Sequence, residues 1–311
     1  MSARRPHCRW SRLRCAVAER RAPALYTIPA HRAFADALAA GLLARHGRAD
    51  GGLALARGIV LLPNNRAIRA VRDAFVRASG TGLLLPRLVP IGDVDLGETL
   101  GSALAPMGSD AGIPPAIAPA ERLMILTRLV AGQRARRGER LEIGEAYRLA
   151  SALAATLDQL LVERKGPADL KALEPEDLSG HWQTAFGEFE ALMDAWQREL
   201  AARGCIDMAE RRNRLLAHVS ARWREAPPDR FVVAAGIVTS APAVAGLLKT
   251  VAGLPQGMVV LPDLDLNLTA EQWDAIGPVT PPEPGHDLPP PALESHPQFA
   301  LKLLLERMDV H

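Results

Sequence analysis

The chain reads as an α/β protein: a parallel sheet interrupted by an all-helical segment of about a hundred residues. Three observations predict this. Short apolar runs, suited to strands buried on both faces, alternate with amphipathic helical stretches near the start. A long middle section then shows helical periodicity alone. After it the alternation of apolar run and helix returns.

The first run is LYTI (25–28), followed by a helix with Phe34, Leu38 and Leu42 recurring every four residues. A turn around Gly51–Gly52 leads to GIVLLP (58–63), then to helix 65–78 with Ile68, Val71 and Phe75 along one side. LLLPRLVPI (83–91) reads as the next strand. This β-α-β-α-β order predicts parallel strands joined by right-handed crossovers.

Residues 118–224 read as helical. Leu149, Leu153, Leu157 and Leu160 are expected on one buried stripe; Trp182, Phe186, Phe189, Met193, Trp196 and Leu200 on another. At helical spacing these aromatics predict core packing and not a cofactor box. Strand FVVAAG (231–236) reopens the sheet, with Ser240 as N-cap and Pro242 in the first turn of helix 242–252. Strand MVVLP (258–262) follows. Residues 278–297 carry eight prolines, a composition that marks a linker. An amphipathic piece at 298–308 then ends the chain, and its packing partner is expected beyond His311.

The expected organisation is therefore a basic, disordered arm (1–23), a first α/β part (24–115), a helical insertion (116–226), a return to the α/β layer (227–275), and a linker with a truncated helix (276–311). The arm holds seven arginines and one Glu within its first 21 residues and no continuous apolar core, which argues against a secretory signal. A start codon set too early and a nucleic-acid-binding arm are its other readings.

Composition narrows the function classes. No apolar run approaches a membrane span. Aromatics are 4% of residues, too few for base stacking to be a main device. Against 35 acidic residues the 37 basic ones leave a net charge of +2, which is no global field for nucleic acid. Cys8, Cys15 and Cys205 form neither a CxxC pair nor a disulfide framework, so a reduced, cytoplasmic location is expected.

A phosphate-binding loop needs glycines whose N–H groups converge on oxygens, a Lys, and a hydroxyl for Mg²⁺. The first strand instead runs into Pro29, Ala30, His31, Arg32 and Ala33, and Pro29 removes one of those N–H groups. A nucleotide-hydrolysing site also needs an acid at the end of a neighbouring strand. FVVAAG ends in Gly236. Pro29, His31 and Gly236 are thus read as degenerate positions of a nucleotide site.

The succession IVLLPNNRAIRAVRDAF, LLLPRLVPIGDVD, CIDMAERRNRLL, FVVAAGIVTSAPAVAGLL and MVVLPDLDLN resembles the N-terminal region of AddB, the B subunit of the AddAB helicase–nuclease, in its α-proteobacterial form. The resemblance covers residues 24–308 and rests on order and spacing, not on one motif. It implies a RecA-like sheet of the superfamily 1 helicase type, with degenerate ATPase motifs, interrupted by a helical subdomain. It implies a part in double-strand break repair by recombination: DNA-end processing with an AddA-type helicase–nuclease partner, contact with single-stranded DNA, and no ATPase of its own. ATP belongs to that partner. The family's iron–sulfur cluster and Mg²⁺ belong to a C-terminal nuclease domain outside these residues, so no cofactor is expected in this chain.

The resemblance also sets PNNRAIRAVRDAF where such helicases touch single-stranded DNA. Arg66, Arg69, Arg72 and Arg77 fall opposite Ile68, Val71 and Phe75, beside Asn64 and Asn65, and form the candidate nucleic-acid-binding set. An ordinary solvated helix face is the other reading. PDLDLN (262–267) opens like a calcium loop, but Leu268 and Asp274 stand where Gly and Glu are required, so a solvated loop is expected. The acids of GDVD (92–95) have no partner His or Lys nearby in sequence. No catalytic residue is identified. A stand-alone doubly wound enzyme of nucleotide or sugar-nucleotide metabolism is the alternative reading, disfavoured by the lack of a phosphate loop.

Overall fold

The computed structural model describes residues 11–12, 23–47, 53–80, 82–92, 112–171, 180–277 and 293–310, with the side chains of 11, 12, 167, 171 and 180–182 excepted. Asp93, Asp95, the turn at Gly51–Gly52, the Trp182 side chain and prolines 278–291 lie outside those residues. In chain order the elements are β1 (Ser11–Arg12), β2 (Leu25–Ile28), α1 (Phe34–His46), α2 (Leu53–Arg57), β3 (Ile59–Leu62), α3 (Asn65–Ser79) and β4 (Arg87–Pro90). Next come α4 (Pro119–Arg136), α5 (Ile143–Val162), α6 (Pro167–Lys171), α7 (Gly180–Arg203) and α8 (Met208–Glu225). The chain closes with β5 (Val232–Ala235), α9 (Pro242–Gly253), β6 (Gly257–Pro262), α10 (Ala270–Ile276) and α11 (Phe299–Arg307). They form two compact units, Met1–Pro106 with Leu216–His311, and Met107–Leu215.

The first unit is an α/β layer. Its sheet runs β1-β2-β6-β5-β3-β4, and the five strands from β2 to β4 are all parallel. Continuous apolar runs make this possible, because side chains alternate between two faces and both must be dry. One face presents Ile28, Val60, Leu62, Val233, Ala235 and Val260 to Leu38 and Leu42 of α1 and to Val71, Ala74 and Phe75 of α3. The alternate set, including Leu61, Val232, Ala234 and Leu261, is also buried, and α9 packs on β5 and β6.

Several local expectations are revised. The strand read at 83–91 shortens to Arg87–Pro90, since Pro86 has no N–H to enter the ladder. Ala241, not Ser240, is the N-cap of α9, with Pro242 at its first position as expected. Ser240 instead offers its carbonyl to Arg307 Nη1 at 2.6 Å. The arm is not wholly without structure: Ser11–Arg12 pairs antiparallel with β2 at its outer edge. Finally, α11 finds its partner inside the chain. Leu301, Leu304, Leu305 and Met308 are buried, and α11 packs on α9.

The second unit is helical. Its core joins Ile125, Leu126 and Val130 of α4, Ala150 and Leu157 of α5, and Met193, Trp196 and Leu200 of α7. The buried stripe of α5 is Ala146, Ala150 and Leu157, while Leu149 is 39% exposed. Small residues on that stripe let α4 and α5 approach closely, a preference that an all-leucine reading misses. At the base of this core Asp207 is buried beside Arg122, whose Nε lies 2.9 Å from its Oδ1, and the Trp196 Nε1–H donates to its Oδ2 at 2.9 Å. Arg122 also holds Asp158 at 2.9 Å. Burial pushes the Asp207 carboxyl above the usual carboxylate range, against the pull of Arg122 and the Trp196 hydrogen bond.

Candidate nucleic-acid interface

The carboxyl ends of parallel strands, where crossover helices begin, form the edge on which α/β sheets bind ligands. Here β3 leaves the sheet through Pro63 and Asn64 into α3. Asn64 is extended, and its side-chain oxygen accepts the Ala67 N–H at 2.9 Å, so it caps the helix. Val71, Ala74 and Phe75 turn inward to the sheet. That orientation leaves Asn65, Arg66, Arg69, Arg72 and Arg77 exposed on the outer side of α3.

The six candidate residues separate by what they touch. Asn64 is engaged as the cap. Arg77 donates through Nε and Nη2 to Asp36 Oδ1, at 3.1 and 2.6 Å, and ties α3 to α1. Arg72 Nε lies 3.8 Å from Asp73 Oδ1, a loose surface contact. Arg66 and Arg69 have no acidic partner among the described residues. The ridge open to an anion is therefore Arg66, Arg69 and Arg72, with Asn65 at its head.

At two further strand exits, those of β5 and β2, backbone N–H groups are taken up by contacts within the chain. Gly236, at the end of β5, has φ +70°, and its N–H donates to the Val260 carbonyl at 2.9 Å. A Cβ there would lie 3.1 Å from Phe34 Cε1. At the end of β2, Arg32 N–H closes a turn onto the Pro29 carbonyl at 3.0 Å. The Ala30 N–H donates to Asp263 Oδ1 at 2.9 Å, while His31 and Arg32 are exposed. Asp263, Asp265 and Asn267 are exposed, as the solvated-loop reading of PDLDLN expects, and the contact to Ala30 is made at the surface. Sequence gave no signal for this contact, which joins residues 233 positions apart.

At the amino-terminal side of the sheet a cavity of about 310 Å³ is lined by His46, Arg57, Asp229, Arg230, Phe231 and Gln256. The His46 ring stacks on Phe231 at 4.0 Å. Burial, assisted by Arg45, pushes the His46 imidazole below its usual value. Gly58 is required beside it, because a Cβ would fall 2.0 Å from Phe231 Cζ.

Fold and edge together define a parallel α/β domain with an exposed basic helix rising from the carboxyl edge of its sheet. No family model matches the chain, and no curated protein matches it. Among the described residues no three metal-ligating side chains cluster, and no helix is long and apolar enough to cross a membrane.

Proposed function

We propose that this chain is a helicase-like scaffold without ATPase activity: the N-terminal region of an AddB-type subunit that acts with an AddA-type helicase–nuclease on DNA ends. Its work is to guide one DNA strand along the carboxyl edge of a RecA-like sheet, into which the helices of residues 116–226 are inserted. The observation that carries this reading is the ridge of Arg66, Arg69 and Arg72, exposed and rising directly from the strand exit at Asn64. Three residues of helix rise about 4.5 Å, so the ridge spreads its charges along a line, as successive phosphates of a strand require.

The neighbouring exits support the inactive half of the proposal. The loop after β2 has neither the glycines nor the Lys of a phosphate cradle, and Gly236 supplies no acid for Mg²⁺. A small-molecule nucleotide enzyme would need such convergence at one of these ends.

The test is single-stranded oligonucleotide binding across a salt series. Each phosphate contact contributes about 0.7 to the slope of log K against log salt for single strands. Arg66→Ala with Arg69→Ala is expected to flatten the slope by about 1.4 and weaken binding, while Arg77→Ala, already engaged with Asp36, leaves the slope unchanged. A wild-type slope in the double variant sinks the proposal. Micromolar ATP or sugar-nucleotide binding by calorimetry would favour an enzyme instead.

A further inference from the structure

The last helix, α11, is nine residues long. Isolated helices shorter than about 12–15 residues are marginal in water, so a helix of this length holds together only while it is docked. Part of its docking is apolar. Leu301, Leu304, Leu305 and Met308 are buried, and the helix packs on α9.

The rest is polar and reaches further. At the head of the helix its N-cap, Gln298, is only 8% exposed and grips the loop after β6. The Gln298 Nε2 donates to the Asp263 carbonyl at 2.9 Å, and its Oε1 accepts the Asp265 N–H at 3.2 Å. At the tail Arg307 donates through Nη1 to the Ser240 carbonyl at 2.6 Å, in the loop after β5. Just past it Asp309 pairs with Lys249 of α9. Between head and tail the buried Lys302 meets Asp274 of α10 at 3.0 Å and Glu306 of its own helix at 3.2 Å. One short helix thus holds the exits of two strands, β5 and β6, that lie side by side in the sheet.

We infer that α11 is a conformational strap: it docks and undocks as one unit, and while docked it fixes the loops after β5 and β6 at the carboxyl edge. The helix and its anchors stand or fall together, because the helix does not persist without them. A change at one point of the strap therefore reaches both loops. The loop after β5 adjoins the exit of β3, where the arginine ridge begins, so the strap sets the shape of the edge beside that ridge. The strap itself stands without the proposed function, since it requires no nucleic acid.

The test is hydrogen exchange read by mass spectrometry on the full chain, as wild type, Leu304→Ala and Gln298→Ala. Peptides covering α11, the loop after β5 and the loop after β6 are compared with β3 as the core reference. Leu304 is wholly buried, and its truncation removes none of the anchor hydrogen bonds. In Leu304→Ala, α11 and both loops are expected to exchange roughly thirtyfold faster or more together, the range for truncating a buried leucine, while β3 keeps its wild-type rate. Faster exchange in α11 with both loops unchanged overturns the strap. So does an equal rise in β3, which would mean that α11 opens only with the whole sheet. Gln298→Ala is the milder variant and guards against a folding defect. It cuts the head alone, yet is expected to speed the loop after β5, at the tail, by about tenfold. A change confined to the loop after β6 overturns the coupling. Oligonucleotide binding is measured separately, so failure of the strand-guiding proposal leaves a different signature.

Discussion

Replacing Gly236 with alanine places a Cβ on a residue at φ +70°, 3.1 Å from Phe34 Cε1. Two costs follow. The left-handed backbone disfavours a residue with a Cβ by about 1–2 kcal/mol, and alanine returns about 0.4–1 kcal/mol of that by restricting the unfolded chain. The aromatic contact adds to the balance, since carbon atoms prefer a separation of about 3.5–4.0 Å. Gly236→Ala is therefore expected to lose about 1–2 kcal/mol. Urea denaturation reads this as a lower midpoint at unchanged slope. A Phe34→Ala background separates the two causes, because the steric share disappears with the ring and the backbone share remains. Gly236→Asp, which puts an acid at the strand end, is expected to yield no ATP turnover, since the loop after β2 still lacks a phosphate cradle. A Gly236→Ala variant as stable as the wild type would refute the backbone reasoning, and ATP turnover by Gly236→Asp would refute the inactive-site reasoning.

Two further outcomes follow from buried groups. Trp196→Phe removes the 2.9 Å hydrogen bond to Asp207 while keeping most of the ring, and is expected to cost about 1.5–3 kcal/mol, the range for a bond to a charged acceptor; thermal and urea unfolding of the second unit's core check it, and a neutral result would mean that Asp207 is held by Arg122 alone. His46 has a folded pKa below its ordinary 6.5, so the unfolded chain binds the proton first. Its contribution to stability is intact above pH 6.5 and is lost as pH falls through the window between 6.5 and the lowered folded value. Comparing wild type with His46→Phe from pH 7.5 to 5 in urea (roughly the range in which histidine titrates) should show the variant with the shallower decline.

The parallel sheet was legible because burial on both faces leaves a continuous apolar run, as in GIVLLP and FVVAAG, and α3 was legible because Ile68, Val71 and Phe75 repeat at the helical period. Which stripe of α5 faces inward was not. Leu149 and Ala150 are one residue apart in sequence, and only the neighbouring helix decides that the small residue is buried. The last helix was misread for a related reason: its apolar face was plain, but its partner, α9, could not be read from the face itself. At the candidate site the arginines were visible and their employment was not. Arg77 is distinguished from Arg69 only by Asp36, 41 residues earlier, and Asp263 from an ordinary loop acid only by Ala30, 233 residues earlier. Periodicity sees faces; it does not see long-range hydrogen bonds.

The placement of Arg66 bears on whether the ridge is merely a solvated face. Helix N-termini carry partial positive charge, and acidic residues there stabilise while basic ones cost about 0.3–1 kcal/mol. The first turn of α3 contains no acidic residue, and Arg66 stands in it. Arg69 follows within the next turn, also without an acidic partner among the described residues. For the stability of α3 alone this is the unfavourable sign. By contrast Arg77, in the last turn, has the favourable sign and a partner in Asp36. One end of the helix is thus arranged for the fold, while the end at the sheet's carboxyl edge carries an uncompensated positive field. On the proposed reading that field is what a phosphate backbone meets, and the arginines concerned are the two whose loss should flatten the salt dependence.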